Sequence, residues 1–199
     1  MKFKKLSILF CSLLALTSVM AVSAAETETV SETEAASAEE STVSGADEET
    51  EYPITIQHAY GETVIESKPE RIATVGWENQ DAPLALGIAP VGVSAANYGM
   101  VTENNLHPWT DEAFQELGVD APNVFDDVDG LDFEAISDCD PDVILASYSG
   151  LTQEDYDTLS QIAPVIPYKE NAWQTTWRDQ TIENAEGMGM KAEGEAKVA

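Results

Sequence analysis

The unit that begins at Phe133 has the most informative apolar pattern in the chain. Phe133 and Ile136 are three residues apart, as one face of a helix requires, and Asp140-Pro141-Asp142 prevents that helix from continuing. The apolar run Val143–Ala146 then follows, which is typical of a strand covered on both faces. Tyr148-Ser149-Gly150 therefore comes just after the carboxyl end of a strand, where ligands bind in open α/β sheets.

The same kind of pattern predicts strands and helices in alternation over residues 52–174. Apolar alternation on either side of Gly61 predicts an edge hairpin, and Thr152 with Asp155 predicts a capping box that starts a helix. This order favours an α/β fold with a parallel sheet. The remaining predicted elements are strands at 71–75, 90–93 and 163–167, and helices at 81–88, 110–117 and 152–161.

Residues 175–199 are predicted to form one long helix, with Gly187, Gly189 and Gly194 as its weak points. The sequence ends inside this pattern, without a C-cap glycine, a turn or a closing strand. We expect the chain to be a fragment of a longer protein. A natural C-terminal helix is the alternative.

The first 25 residues have the pattern of an export signal. Lys2, Lys4 and Lys5 precede an apolar segment at 6–22, and Ser23-Ala24-Ala25 provides the small residues of a cleavage site. An uncleaved membrane anchor is the alternative, because the apolar segment approaches the length of a membrane span. Cys11 is a poor site for lipid attachment, since it follows the bulky Phe10 and lies close to the lysines.

Residues 26–51 are predicted to be a disordered acidic linker. The segment holds ten Asp or Glu and no Lys or Arg, and the rest is mostly Thr, Ser, Ala and Val. It has too little apolar surface to offset the entropy lost on ordering. It can be a tether that spaces the folded domain from a membrane or wall, or a solubilising leader.

The charge of residues 52–199 excludes some classes of partner. This part has 27 acidic and 6 basic residues, a difference of −21. So negative a surface repels nucleic acid and anionic membranes. Once the signal is removed Cys139 is the one cysteine left, so we expect no internal disulfide and a buried thiol.

The sequence offers little for catalysis or for a resident metal. His58 and His107 lack a metal-ligand spacing, and no nucleophile elbow or phosphate-binding glycine loop is present. Two acids flank Cys139 and oppose thiolate formation. His107 near Glu103 could bind a metal, but we expect a solvated loop histidine. We therefore predict no catalytic residues, no metal site and no cofactor.

Aromatic residues are placed where a ligand site would need them. Seven follow predicted strands or lie in the loop after Val93, and together they could form an amphipathic wall. We expect two or three of them to be core residues instead. Lys169 and Arg178 are the bases near this end, and each could meet an anionic ligand or form a surface ion pair. The seven aromatic residues are Trp77, Tyr98, Trp109, Tyr148, Tyr168, Trp173 and Trp177.

A series of motifs resembles the iron-siderophore and cobalamin class of ABC-transporter substrate-binding proteins. The series runs in order through residues 52–199, which makes it specific although each motif alone is weak. The last two motifs look like the iron-siderophore branch. The motifs are KPERIA at 68–73, LGIAPVGV at 86–93, LDFEAI at 131–136, DPDVILA at 140–146, LSQIAPV at 159–165 and WQTTW at 173–177.

The resemblance implies two α/β lobes joined by a long helix, with the ligand between them. Residues 52–174 would be the N-terminal lobe, and 175–199 the start of the interlobe helix. Glu134 matches the acidic position that docks on the permease. The implied cleft residues are Trp77, Asn97, Tyr98, Tyr148, Ser149, Trp173 and Trp177.

The function implied is an exported, monomeric, non-enzymatic receptor in the cell envelope that delivers a ferric siderophore to an ABC importer. Because this lobe offers few bases, a neutral hydroxamate fits better than an anionic catecholate. Cobalamin or haem is the alternative cargo. A surface α/β hydrolase is the alternative from another class, although a nucleophile–base pair is not evident in the sequence.

Overall fold

The computed structural model describes residues 50–199. The predicted export signal at 1–25, with Cys11, and residues 26–49 of the predicted linker lie outside the described residues. In the described part, no helix is both long and apolar enough to cross a membrane.

The chain begins its folded part with a two-stranded antiparallel hairpin, as the alternating pattern predicts. Strand β1 (Ile54–His58) pairs with β2 (Gly61–Ile65), and Ile54 lies opposite Ile65. The inward residues Ile56 and Ile65 are buried. Their burial fixes which face of the hairpin meets the core.

Five short parallel strands form the central sheet, which confirms the predicted α/β class. The strands are β3 (Ile72–Thr74), β4 (Gly92–Ser94), β5 (Val124–Phe125), β6 (Val143–Ala146) and β7 (Val165–Pro167). Their order across the sheet is β5-β4-β3-β6-β7, so the chain first adds β4 and β5 on one side of β3 and then β6 and β7 on the other.

Helices connect the strands and flank the sheet. The capping box of Thr152 and Asp155 is present at the start of the fourth helix, and the Asp132 side chain caps the third. The second helix begins at Pro108, earlier than predicted. The helices are α1 (Asp81–Ala85), α2 (Pro108–Glu116), α3 (Phe133–Asp138), α4 (Gln153–Leu159), α5 (Trp177–Gly187) and α6 (Lys191–Val198).

Strand β6 is buried on both faces, as its continuous apolar run predicts. Ile144 and Ala146 belong to the core cluster on one side of the sheet, and Val143 and Leu145 to the cluster on the other. Cys139 lies in the first of these clusters, buried and free. The interpretation of this cysteine as a buried core residue is therefore confirmed.

The prediction of one continuous helix over 175–199 is wrong. Helix α5 ends at Gly187, and the N–H groups of Gly189 and Met190 donate to the carbonyls of Glu186 and Ala185, at 3.0 and 2.8 Å. This is a Schellman C-cap, and Gly189 provides its left-handed residue with φ of +71°. The chain then folds back as α6, where Gly194 allows a close approach to Ala185.

Candidate functional site

The carboxyl ends of β3 and β6 lie side by side where the strand order reverses. Ile72 pairs with Val143 in the parallel register, so both strands end at the same edge. After the strands, the N–H of Trp77 donates to the carbonyl of Tyr148 at 3.1 Å. Open α/β sheets bind ligands in the crevice at this kind of topological switch point.

Four aromatic side chains are in contact at this edge and form what we call the aromatic rim: Trp77, Tyr98, Tyr148 and Trp173. The ring centroids of Trp77 lie 5.1 Å from Tyr98 and 5.6 Å from Trp173, and Trp173 lies 5.5 Å from Tyr148. Trp77, Tyr98 and Trp173 are 41%, 42% and 47% exposed. The rim thus keeps large aromatic surfaces open for stacking.

The backbone fixes Trp173 in the rim. Its φ is +59°, in the left-handed region that a tryptophan rarely adopts, and its N–H donates to the carbonyl of Ser149 at 3.1 Å. The indole lies over Gly150 so closely that a Cβ on this glycine would be 2.6 Å from it. Backbone strain of this kind is concentrated at functional sites.

Glu78 adds a carboxylate to the rim. It also has a left-handed φ, of +58°, and accepts a hydrogen bond from the hydroxyl of Tyr98. Burial, followed by this bond to Glu78, raises the pKa of Tyr98 to about 12. Partial desolvation, followed by the charge of Glu78, raises the pKa of the neighbouring Asp81 to about 6, although the residue keeps contact with solvent.

A buried asparagine, Asn79, holds the two loops of the rim together. Its side-chain N–H groups donate to the carbonyls of Val75 and Tyr148, at 2.8 and 3.0 Å, and its oxygen accepts from the N–H of Tyr148 at 3.1 Å. Asn79 is fully buried. Because buried amides need their partners, these bonds fix the spacing of the loops.

Helix α5 completes this support with two side chains one turn apart. Gln180 donates to the carbonyl of Trp77 at 2.9 Å, and Asn184 donates to the side-chain oxygen of Asn79 at 3.0 Å. Ser147 in turn donates to Asn184 at 2.8 Å. None of these residues was predicted from the sequence, where the available signal is a polar residue that directly follows an apolar run, as at Ser147.

Two of the predicted cleft residues are near the rim but do not belong to it. Asn97 is exposed in the loop after β4 and lines a shallow cavity with Trp77 and Tyr98. Ser149 is 1% exposed and its hydroxyl donates to the carbonyl of Ala146 at 2.7 Å. Its hydroxyl therefore supports the turn and points away from the open surface of the rim.

Trp177 lies on the far side of Glu78. It is the first residue of α5 and lines a groove with Glu78, Asp81 and Gln180. The Arg178 guanidinium is 4.2 Å from the centre of its ring, a cation–π contact. The aromatic ring pairs found within residues 50–199 do not include Trp177, so it is separate from the rim.

The other two aromatic residues have different surroundings. Tyr168 is buried and bonded to Tyr60, so it is one of the expected core residues. Trp109 is exposed on α2, not in a loop, and stacks on His107 with the centroids 4.5 Å apart. His107 also lies 4.5 Å from Tyr98 and extends the aromatic surface behind the rim.

The expectation of a solvated His107 is wrong. The side chain is 3% exposed, because it packs between two aromatic rings and its Nδ1 lies 3.3 Å from the carbonyl oxygen of Met100. Within residues 50–199, no group of three His, Cys, Asp or Glu residues is arranged to hold a metal ion. Burial also raises the pKa of the Cys139 thiol, which disfavours the thiolate.

Two charged residues singled out in the sequence, Glu134 and Lys169, have different surroundings. Glu134 is exposed in the first turn of α3, a position open to a partner. The Lys169 ammonium nitrogen lies 3.6 Å from a carboxylate oxygen of Glu183. Of the two roles expected for Lys169, contact with an anionic ligand or an ion pair, the structure shows the ion pair.

Comparisons with known proteins give a consistent result. The periplasmic binding protein family matches residues 72–199. A curated relative, the probable siderophore-binding lipoprotein YfiY of Bacillus subtilis (strain 168), is 27% identical over 205 residues, which covers 98% of this chain and 52% of the relative.

Solved structures show the same similarity. Streptococcus pneumoniae TIGR4 PiaA, in complex with ferrichrome, is 54% identical with a TM-score of 0.70, over 73% of this chain and 48% of PiaA. Staphylococcus aureus SirA, complexed with staphyloferrin B, is 27% identical with a TM-score of 0.59, over 73% of this chain and 45% of SirA. The chain thus spans about half the length of the relatives it matches.

Proposed function

Because the chain belongs to the periplasmic binding protein family, we propose that it is the ligand-capturing part of an exported receptor that delivers a ferric siderophore to an ABC importer. Relatives named for siderophore binding support this proposal. On this proposal the chain binds its ligand as a receptor, without a catalytic step.

The observation that carries the proposal is the aromatic rim at the switch point of the sheet. A ferric siderophore complex is a rounded ligand with an apolar outer surface between its polar groups. Half-exposed rings at fixed spacings suit such a surface, because each ring removes apolar area from water without a large loss of side-chain entropy. The rings of Trp77 and Trp173 lie at the centre of the aromatic rim.

A neutral hydroxamate is the proposed ligand class. Ferrichrome, which PiaA binds, is a hydroxamate siderophore. Lys169 is paired with Glu183, and Arg178 lies over the ring of Trp177, which is separate from the rim. A multiply charged catecholate complex would lack counter-charges on this wall.

The proposal extends to the rest of the chain. Residues 1–25 would direct export to the periplasm or the outer face of the membrane, and 26–51 would form a tether. Residues 52–174 would be the N-terminal lobe of a monomeric two-lobe receptor, with 175–199 leading toward the other lobe. Glu134 would dock on the permease of the importer.

Affinity in such a receptor depends on enclosure. Tight ligand sites cover about 70–90% of the ligand surface, whereas one wall covers about half. We therefore expect this chain to bind ferrichrome weakly, with a Kd of about 1 mM, which is a binding free energy of about −4 kcal/mol. The experiment must detect weak binding at a known place.

The four tryptophans provide that readout through their indole N–H signals in two-dimensional NMR. Gallium(III) ferrichrome, which is diamagnetic, is titrated into the labelled chain. We expect the signals of Trp77 and Trp173 to shift with one common Kd, because both rings belong to the rim. Each signal is assigned with a single Trp→Phe variant.

Trp109 provides the control, because it is also exposed but lies on α2, separated from Tyr98 of the rim by the ring of His107. Its signal should shift much less. Uniform small shifts of all four signals, or no shift at millimolar ligand, would contradict the proposal. Titration with cobalamin or haem tests the alternative cargo, and saturable shifts at the rim for one of these alone would favour it.

A further inference from the structure

The carboxylate of Glu78 lies in the middle of the candidate site. Glu78 follows Trp77 directly, accepts the hydrogen bond of the Tyr98 hydroxyl, and lines the groove that contains Trp177. A ligand that stacks on the rim therefore comes within a few ångströms of this charge.

The backbone holds Glu78 in this position. Its φ of +58° is unusual for a residue with a long side chain, and its carbonyl accepts from the N–H of Asp81 at 3.1 Å, which closes a tight turn. The next residue, Asn79, is buried and bonded to both rim loops. The direction of the Glu78 side chain is thus set by a rigid turn that costs strain, a feature of functional positions.

Glu78 has no ion-pair partner within residues 50–199. Arg178 lies over the ring of Trp177, and Lys197 lines the groove on the Trp177 side without pairing with Glu78. Asp81, the other close ionisable group, adds negative charge above its pKa of about 6.

We propose that Glu78 determines specificity by ligand charge, an inference that rests on the proposed function. Glu78 rejects anionic ferric chelates and admits neutral or cationic ones. A stacked ligand displaces water from the rim, and the interaction between charges strengthens as the local dielectric constant falls. A cationic or N–H group of the ligand gains a carboxylate partner, whereas an anionic group faces an uncompensated carboxylate.

The test is a series of ligands that share one chelate and differ in the charge of a pendant group. Desferrioxamine B, its N-acetyl derivative and its N-succinyl derivative share one hydroxamate chelate and carry one positive charge, none and one negative charge on the pendant group. Their gallium(III) complexes, with gallium(III) ferrichrome as the reference, are titrated against the indole signals of Trp77 and Trp173.

The affinity of the wild type should fall by about threefold to tenfold for each unit of negative charge added to the ligand. This is the effect expected of two charges several ångströms apart in a partly hydrated site. In Glu78→Gln the fall should be less than about twofold per unit, because the amide keeps the shape of the side chain but not its charge. Raising the salt concentration should weaken the wild-type trend.

Two variants separate charge from other effects. Tyr98→Phe removes the hydrogen bond but keeps the carboxylate, so the trend with ligand charge should remain whatever the change in affinity. Glu66→Gln removes the same charge from an exposed position after β2 and should behave like the wild type.

The outcomes distinguish this inference from the proposed function. If ferrichrome does not bind the wild type, the proposed function fails first. If ferrichrome binds and the trends of wild type and Glu78→Gln are equal, the role of Glu78 is overturned alone. Binding of ferrichrome with rejection of all three derivatives also overturns it, because shape would then decide.

Discussion

At the scale of single residues, the most unusual ionisable group is Glu183 on α5. Its carboxylate is buried, one oxygen lies 3.6 Å from Lys169, and the other has no hydrogen-bond partner. Burial raises its pKa to about 7, against the opposing effect of Lys169, and the nearby Asp179 and Glu186 add to the rise. The folded protein therefore holds a proton there that the unfolded chain releases.

This proton makes stability depend on pH. Because the folded-state pKa lies above the ordinary value of 4.5, the stabilising contribution is complete below about pH 4.5 and is lost as the pH rises to about 7. Glu183→Gln removes this dependence. We expect the free energy of unfolding of the variant, relative to wild type, to rise by up to about 3 kcal/mol between pH 4.5 and 8.

Urea denaturation at a series of pH values measures this difference. Glu170→Gln is the matched control, since Glu170 is exposed and close in sequence to Lys169. Its unfolding free energy should follow that of the wild type. Parallel curves for wild type and Glu183→Gln would show that the buried carboxylate titrates normally.

At the scale of elements, the candidate site depends on how α5 is attached to two strands. Asn79 follows β3, Ser147 follows β6, and Asn184 lies on α5, and their side chains bond to each other in the interior. The spacing of the rim loops is therefore set by a helix that begins at Trp177, far from Asn79 in the sequence. A buried polar network of this kind favours one arrangement of its elements, because removal of any side chain leaves its hydrogen-bond partners unsatisfied.

Asn79→Ala should lower the free energy of unfolding by about 2–3 kcal/mol, because several buried groups lose their partner at once. The same variant should broaden the indole signals of Trp77, since the loop loses its fixed spacing. Asn171→Ala, at an exposed position, is the control and should cost less than about 0.5 kcal/mol. Equal losses for the two variants would contradict the role of the network.

At the scale of the whole molecule, charge is the dominant property. The chain has a formal net charge of −28 at pH 7, with 37 acidic and 9 basic residues. Few of the described acids have a basic partner, as the ion pairs of Arg71, Lys169 and Lys191 illustrate. The folded state therefore bears more self-repulsion than the expanded unfolded chain.

Salt should stabilise the protein for this reason. Between about 10 and 150 mM salt the screening length falls from about 30 to about 8 Å. We expect the Tm to rise by about 2–4 °C, which corresponds to about 1 kcal/mol for a chain of this size. Thermal unfolding followed by circular dichroism measures it, with sodium and choline chloride compared. A rise with sodium alone would indicate specific ion binding instead of screening.

Local sequence pattern determined most of the secondary structure and the alternation of strands and helices along the chain. The hairpin, strand β6 and the capping box of Thr152 all follow from neighbouring residues, since alternation, apolar runs and caps act within a few positions. The pattern also located aromatic residues after the strands. The pattern could not predict that the helix ends near Gly189. A glycine within a helical pattern can lie inside a continuous helix and weaken it, or can form the C-cap that ends it.

Tertiary structure alone decided which of these residues share a surface. The ring of Trp173 reaches the rim because its own backbone is left-handed and Gly150 gives it room, whereas Ser149 turns inward and Trp177 lies beyond Glu78. Contacts between distant residues set these orientations, and they leave no periodic signal in the sequence. The sequence by itself thus determined the elements and the edge of the sheet that carries the site. The shape and charge of that edge came from long-range packing.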